Sequence, residues 1–147
     1  MELIKDNPSW CKNIKEEIEV TTYVSFTSSK LTHLSPLSTF SGKNIEGWSA
    51  NFSKCKNLKV ATGTFEGTVN FDNSGITTIK DLIIKNPNKY GGKATFKGCP
   101  IKYIPKEYRG AEYNFDKGVI KNSIKKDKIE ETINKIKSET NNIEIWK

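Results

Sequence analysis

Five of the seven phenylalanines in this chain open the same pattern, Phe-x-x-small-x-apolar-x-x-apolar. They are Phe26, Phe52, Phe71, Phe96 and Phe115, separated by 26, 19, 25 and 19 residues. The other two, Phe40 and Phe65, end the turns that follow Phe26 and Phe52. Self-similarity at such a period marks a chain built from stacked repeats, each too small to bury its own apolar face. This constrains the fold more than any other feature. It also directs the search for function to an exposed face before a catalytic centre.

The position two before each phenylalanine is apolar or aromatic (Val24, Ala50, Val69, Ala94, Tyr113), and the residue between is polar. That alternation predicts short strands with one buried face. The position three after is small: Ser29, Cys55, Ser74, Cys99 and Gly118. The next apolar pairs are Leu31 and Leu34, Ile76 and Ile79, and Ile101 and Ile104; in the second copy Leu58 and Val60 stand one place out of step. These pairs predict irregular or helical turns that fold back over the core. An aromatic-x-Gly signal closes the turns at Phe40-Ser-Gly42, Phe65-Glu-Gly67, Tyr90-Gly-Gly92 and Tyr108-Arg-Gly110. Glycine is expected there for its backbone freedom at a corner.

The stretch Ala94-x-Phe96-x-x-Cys99-x-Ile101-x-x-Ile104-Pro105 resembles the leucine-rich-repeat frame Leu-x-Leu-x-x-Asn-x-Leu-x-x-Leu-Pro. The resemblance covers about residues 20 to 120. Phenylalanine replaces the second leucine, and Ser, Cys or Gly replaces the asparagine. The resemblance implies an α/β fold: a short right-handed solenoid with one parallel β-sheet of about five strands, and binding without particular chemistry. Compact, AT-biased chains of this kind resemble proteins encoded by bacteriophages and other mobile elements, which implies a host factor as partner.

One domain over 1–147 is expected, with a cap helix in 1–20, repeats in 21–120, and a second cap helix and tail in 121–147. Repeat ends need caps because each exposes core. Asn7-Pro8 reads as a helix start, with Trp10, Ile14 and Ile18 forming an amphipathic stripe beside Cys11. Ile124, Ile129, Ile133 and Ile136 predict the second helix over about Ser123 to Ser138. The tail 141–147 alternates and reads as a strand carrying Trp146 on its outer face. Trp48 lies in extra length between the first two copies and is expected to be packed.

The formal net charge is +7, supplied almost wholly by lysine, with Arg109 the single arginine. Lysine is a point charge; the bidentate fork that reads bases and grips phosphate belongs to arginine. Abundant Lys, Asn and Ile match an AT-rich coding bias, which accounts for the charge without a polyanion. No apolar run approaches a membrane span, and the N-terminus lacks signal-peptide organisation; a cytoplasmic location is the default expectation. The three cysteines are too few, and too far apart, for a disulfide framework. No metal or cofactor is expected, since ligand pairs at zinc spacing are missing.

Enzyme chemistry has little to stand on. His33 is the only histidine, sits between Leu31 and Leu34, and has no acid near it in sequence. No phosphate-binding glycine loop is present. The candidate partner-binding residues are instead the outward strand positions: Ser25, Asn51, Asn70, Thr95 and Asn114 before each phenylalanine, with Asp72, Lys97 and Lys93 beside them. Lys125, Lys126 and Trp146 after the last repeat complete the set. The expected function is non-enzymatic protein–protein interaction. Two alternatives stand beside it: sequence-nonspecific nucleic-acid binding through lysines, which requires a steep salt dependence, and a structural part in a larger particle.

Overall fold

In a computed structural model the described residues are 2–3, 17–85 and 92–145. They form ten strands and one long helix. The strands are β1 (Glu2–Leu3), β2 (Ile18–Val20), β3 (Val24–Ser25), β4 (Ser38–Phe40), β5 (Trp48–Asn51), β6 (Val60–Phe65), β7 (Thr68–Asn70), β8 (Thr78–Ile84), β9 (Ala94–Thr95) and β10 (Tyr113–Asn114). The helix, α1, spans Val119–Ile145, preceded by a single 3-10 turn at Lys106–Tyr108.

All pairing is parallel, and the strands sort into two sheets. One has six strands in the order β1-β3-β5-β7-β9-β10; the other has four, β2-β4-β6-β8. From β2 to β8 the chain alternates between them, so each strand pairs with the one two places on. The single-sheet expectation is therefore corrected. The turns ending at Phe40 and Phe65 are strands of a second sheet, and the opposite side of the repeat is extended rather than helical. The N-terminal cap helix is corrected in part: Ile18, placed on its stripe, lies in β2. Glu2–Leu3, also within the expected span, form β1, and residues 4–16, with Trp10 and Cys11, fall outside the described residues, as do Tyr90 and Trp146. The tail strand is overturned too, since α1 runs through residue 145.

The core between the sheets is aromatic. Phe26, Phe52, Phe71, Phe96 and Phe115 form one stack, with centroids of neighbouring rings 5.2, 5.4, 5.2 and 4.9 Å apart and planes within 15°. Phe40 and Phe65 stack on each other at 4.7 Å and meet Phe52 edge-on. Offset stacks and edge contacts are the arrangements that ring quadrupoles favour. Leu31, Leu58, Ile76 and Ile104 fill the space beyond and are fully buried. In the second copy Val60 is exposed and Ala61 takes the inward place.

Two repeated backbone devices turn the chain. The residue two after phenylalanine is left-handed in four copies: Ser28, Lys54 and Asn73, with φ of 59°, 59° and 58°, and Gly98 at 77°. The small residue after it faces inward. Cys55 Sγ donates to the Phe26 carbonyl and Cys99 Sγ to the Phe71 carbonyl, each at 3.0 Å. Ser29 and Ser74 lie 3.5 and 3.4 Å from those sulfurs. Burial pushes both thiols up from their ordinary pKa, which keeps them as S–H donors. The cysteines thus fasten successive repeats together as well as filling space.

The closing glycines answer to close approach rather than to backbone angle. A Cβ on Gly42 would press into the Thr21 carbonyl, and one on Gly67 into the Gly47 carbonyl. On Gly92 it would meet the Gly67 carbonyl at 2.8 Å. The stacking distance between repeats sets that requirement.

Candidate functional site

Parallel register brings the predicted outward column together. Ser25 pairs with Asn51, Asn51 with Asn70, Asn70 with Thr95, and Thr95 with Asn114. The five form one row across the six-stranded sheet, with neighbours about 4.8 Å apart. Side-chain bonds hold much of the row in place. Asn51 Oδ1 accepts from the Ser53 N–H at 2.9 Å, and Asn70 Oδ1 from the Asp72 N–H at 2.7 Å. Thr95 Oγ1 lies 3.4 Å from Asn70 Oδ1. Asp72 reaches the next repeat and accepts from the Lys97 N–H at 2.9 Å, and Asp116 reaches the preceding one and accepts from the Gly98 N–H at 3.1 Å. Ser25 is buried beside Thr27, 3.2 Å between hydroxyls, and so is unavailable to a partner here. Lys93 and Lys97 lie either side of β9 and are exposed.

These bonds engage the amide oxygens of Asn51 and Asn70, both of which are half-buried. The row is a pre-ordered polar surface. Its geometry also serves the fold, because amide oxygens that cap the strand exit help set the left-handed turn that follows.

The second candidate region lies at the C-terminal end of the repeat stack. Val119 and Ile120 of α1 pack against the core. Ser123 is fully buried; its hydroxyl accepts from the Ile104 N–H at 2.8 Å and donates to the Val119 carbonyl at 2.9 Å. One turn on, Asp127 accepts from the Tyr103 hydroxyl at 2.7 Å and from Arg109 Nη2 at 2.8 Å. Arg109 Nε also donates to the Ile104 carbonyl at 2.9 Å. The Tyr103 hydroxyl, then Arg109, hold the Asp127 carboxyl below the usual carboxylate range, while the same bond pushes the Tyr103 phenol up. The single arginine is therefore a docking residue. Its partner is distant in sequence, and no local motif marks it.

Beyond Asp127 the helix leaves the body. Every residue over 128–140 is exposed, Ile129, Ile133 and Ile136 to 60, 44 and 56 %. Ile124, on the docked part, is 41 % exposed. The four isoleucines expected to cap the repeats form a helix as anticipated but do not seal the core; Val119, Ile120 and Ser123 do. Helical spacing places Ile129, Ile133 and Ile136 in one stripe. Lys121, Lys125, Lys128 and Lys135 run along one border, at intervals of four, three and seven residues. Lys126 and Lys137 lie on the other border. Lys125 and Lys126, adjacent in sequence, thus fall on opposite flanks, and Lys126 Nζ sits 5.5 Å from the Tyr103 ring centroid.

Among the described residues no helix is long and apolar enough to cross a membrane, and no group of three His, Cys, Asp or Glu could hold a metal ion. No protein-family model, curated protein or solved structure matches the chain.

Proposed function

We propose that this chain is a leucine-rich-repeat-like solenoid, right-handed in its winding, and a non-enzymatic protein-binding module. Its partner presents an acidic amphipathic segment that lies along α1. One observation carries the reading: an exposed isoleucine stripe, bordered by lysines on both sides, on a helix segment that the body leaves uncovered. Scattered surface apolar residues need no explanation, but aligned ones with a charged border mark an interaction face. An apolar stripe of this kind suits helix-in-groove or helix-on-helix recognition. The lysine borders select carboxylates on the partner and disfavour a second copy of the same helix. The polar row of the six-stranded sheet offers a second, flatter surface to the same partner.

The test uses a synthetic helix with leucines at i, i+3, i+4 and i+7 flanked by glutamates, followed by fluorescence anisotropy. Binding is expected to weaken on going from about 50 to about 500 mM salt, and Ile133→Asp is expected to weaken it at least tenfold. Equal binding of a lysine-flanked control peptide overturns the reading. So does self-association through the stripe, seen as a dimer of wild type that Ile133→Asp converts to monomer.

A further inference from the structure

The two sheets end at different places. The six-stranded sheet runs on through β9 and β10, whereas the four-stranded sheet stops at β8. β8 is therefore an edge and, at seven residues, the longest strand described. A long edge strand is a template on which another chain can pair. Ile83, 52 % exposed on its outer face, adds apolar surface to that template.

Three features blunt this edge. The first is an inserted residue. Between β6 and β8 the register is Ala61↔Ile79 and then Gly63↔Leu82, so Thr62 stands opposite both Lys80 and Asp81. This is a β-bulge, which bends and twists its strand. Asp81 adopts φ of 54° without being glycine, a conformation whose cost the surroundings must offset. Ile79, Leu82 and Ile84 are buried, and Lys80, Asp81 and Ile83 are exposed. Without Asp81 the in-out alternation would run unbroken. The second feature is charge, since Lys80 and Asp81 both stand exposed on the bulge. The third is a plug. The Leu82 N–H faces away from β6 and donates to the Tyr108 hydroxyl at 3.1 Å. Tyr108 is buried, meets the Tyr113 ring edge-on at 5.3 Å, and ends the 3-10 turn that follows Pro105. Its hydroxyl stands where the carbonyl of a fifth strand would be. A proline, which has no N–H, and a tight turn thus replace that strand.

We propose that Asp81 and Tyr108 act together as a stop on the four-stranded sheet, and that the strand they keep out is β2 of a second copy of this chain. β2 is the opposite edge of the same sheet. All pairing in that sheet is parallel, so a β8-to-β2 contact would continue the existing pattern. The Ile18 N–H donates to the Leu37 carbonyl at 3.5 Å, and the Val20 carbonyl accepts from the Ser41 N–H at 3.0 Å. Both groups turn toward β4, so the Glu19 N–H between them points away from it. Such a contact is head-to-tail and repeats without closing, which makes filaments. The stop keeps a chain of stacked repeats from growing by addition of further copies. It is independent of α1 and of the reading given to it.

The test removes both elements of the stop and reads association by sedimentation velocity. Tyr108→Phe keeps the ring and loses the acceptor; deletion of Asp81 restores the alternation. Wild type is expected to stay monomeric. The protein with both changes should rise at least twofold in average mass over about a hundredfold rise in concentration. Glu19→Pro, which removes the outward N–H of β2, should return it to monomer. Ile133→Asp should leave the association unchanged, which separates it from contact through α1. Tyr108→Phe alone serves if the deletion fails to fold. Its Leu82 amide should exchange with deuterium about tenfold faster than in wild type when dilute, and regain protection when concentrated. A folded double variant that stays monomeric overturns the proposal. So does an association that Glu19→Pro leaves intact or Ile133→Asp abolishes, or a Leu82 amide in Tyr108→Phe as protected as in wild type.

Discussion

At the scale of single residues, stability concentrates where the two phenylalanine stacks meet. Phe52 is stacked with Phe26 and Phe71 and takes edge contacts from Phe40 and Phe65. Phe115 ends the stack and is only half-buried. Phe52→Ala should therefore cost about 3 to 5 kcal/mol and Phe115→Ala clearly less, measured by urea unfolding. Equal losses would contradict a stack with an interior and an end. Gly67 offers an independent check on the spacing between repeats. Gly67→Ala should cost about 1 to 3 kcal/mol, because its Cβ meets the Gly47 carbonyl and backbone must move. A glycine needed only for its angles would show no such dependence on the neighbouring repeat. The phenylalanine frame was legible in the sequence because it is a strict spacing of one large residue type. The left-handed turns were not, since Ser28, Lys54 and Asn73 carry no glycine to announce them.

At the scale of elements, the second sheet and the helix dock show what sequence patterns miss. β4 has three residues, too few to display a period, and β6 contains Gly63, which weakens a strand reading. β8 was hidden because Ile79 already served as the end of a repeat frame. The dock of α1 depends on Tyr103, Arg109 and Asp127, which stand 24 and 18 residues apart in their pairings. Only the folded chain brings them together. This dock has a pH signature. The Asp127 carboxyl titrates below its ordinary range when folded, so its stabilisation is complete above the unfolded carboxylate pKa, about 4. It is lost as pH falls through the lowered folded value. Urea midpoints of wild type and Asp127→Asn should therefore differ at pH 7 and converge on acidification below about pH 4. A difference that persists unchanged to pH 2 would mean that the carboxylate charge is not what holds the helix.

At the scale of the whole molecule, the chain divides into a body that carries its own core and an arm that contributes none. The body's aromatic core, cysteine links and closing glycines all lie before residue 119, and the dock ends at Asp127. The isoleucine stripe lies past that point on residues that are all exposed. The outward row on the six-stranded sheet was legible in sequence because strand alternation fixes it; the arm's isoleucines were legible as a helix but not as exposed. Periodicity gives a helix an apolar face without saying what covers it. Ending the chain after Lys128 separates the two roles. Unfolding of the shortened protein should match wild type within about 0.5 kcal/mol, as expected for changes away from packed features. Its helical circular dichroism should fall, and binding of the acidic amphipathic peptide should be lost. A body that unfolds when the arm is removed would show that the isoleucines belong to the core, and the case for a binding stripe would fall with it.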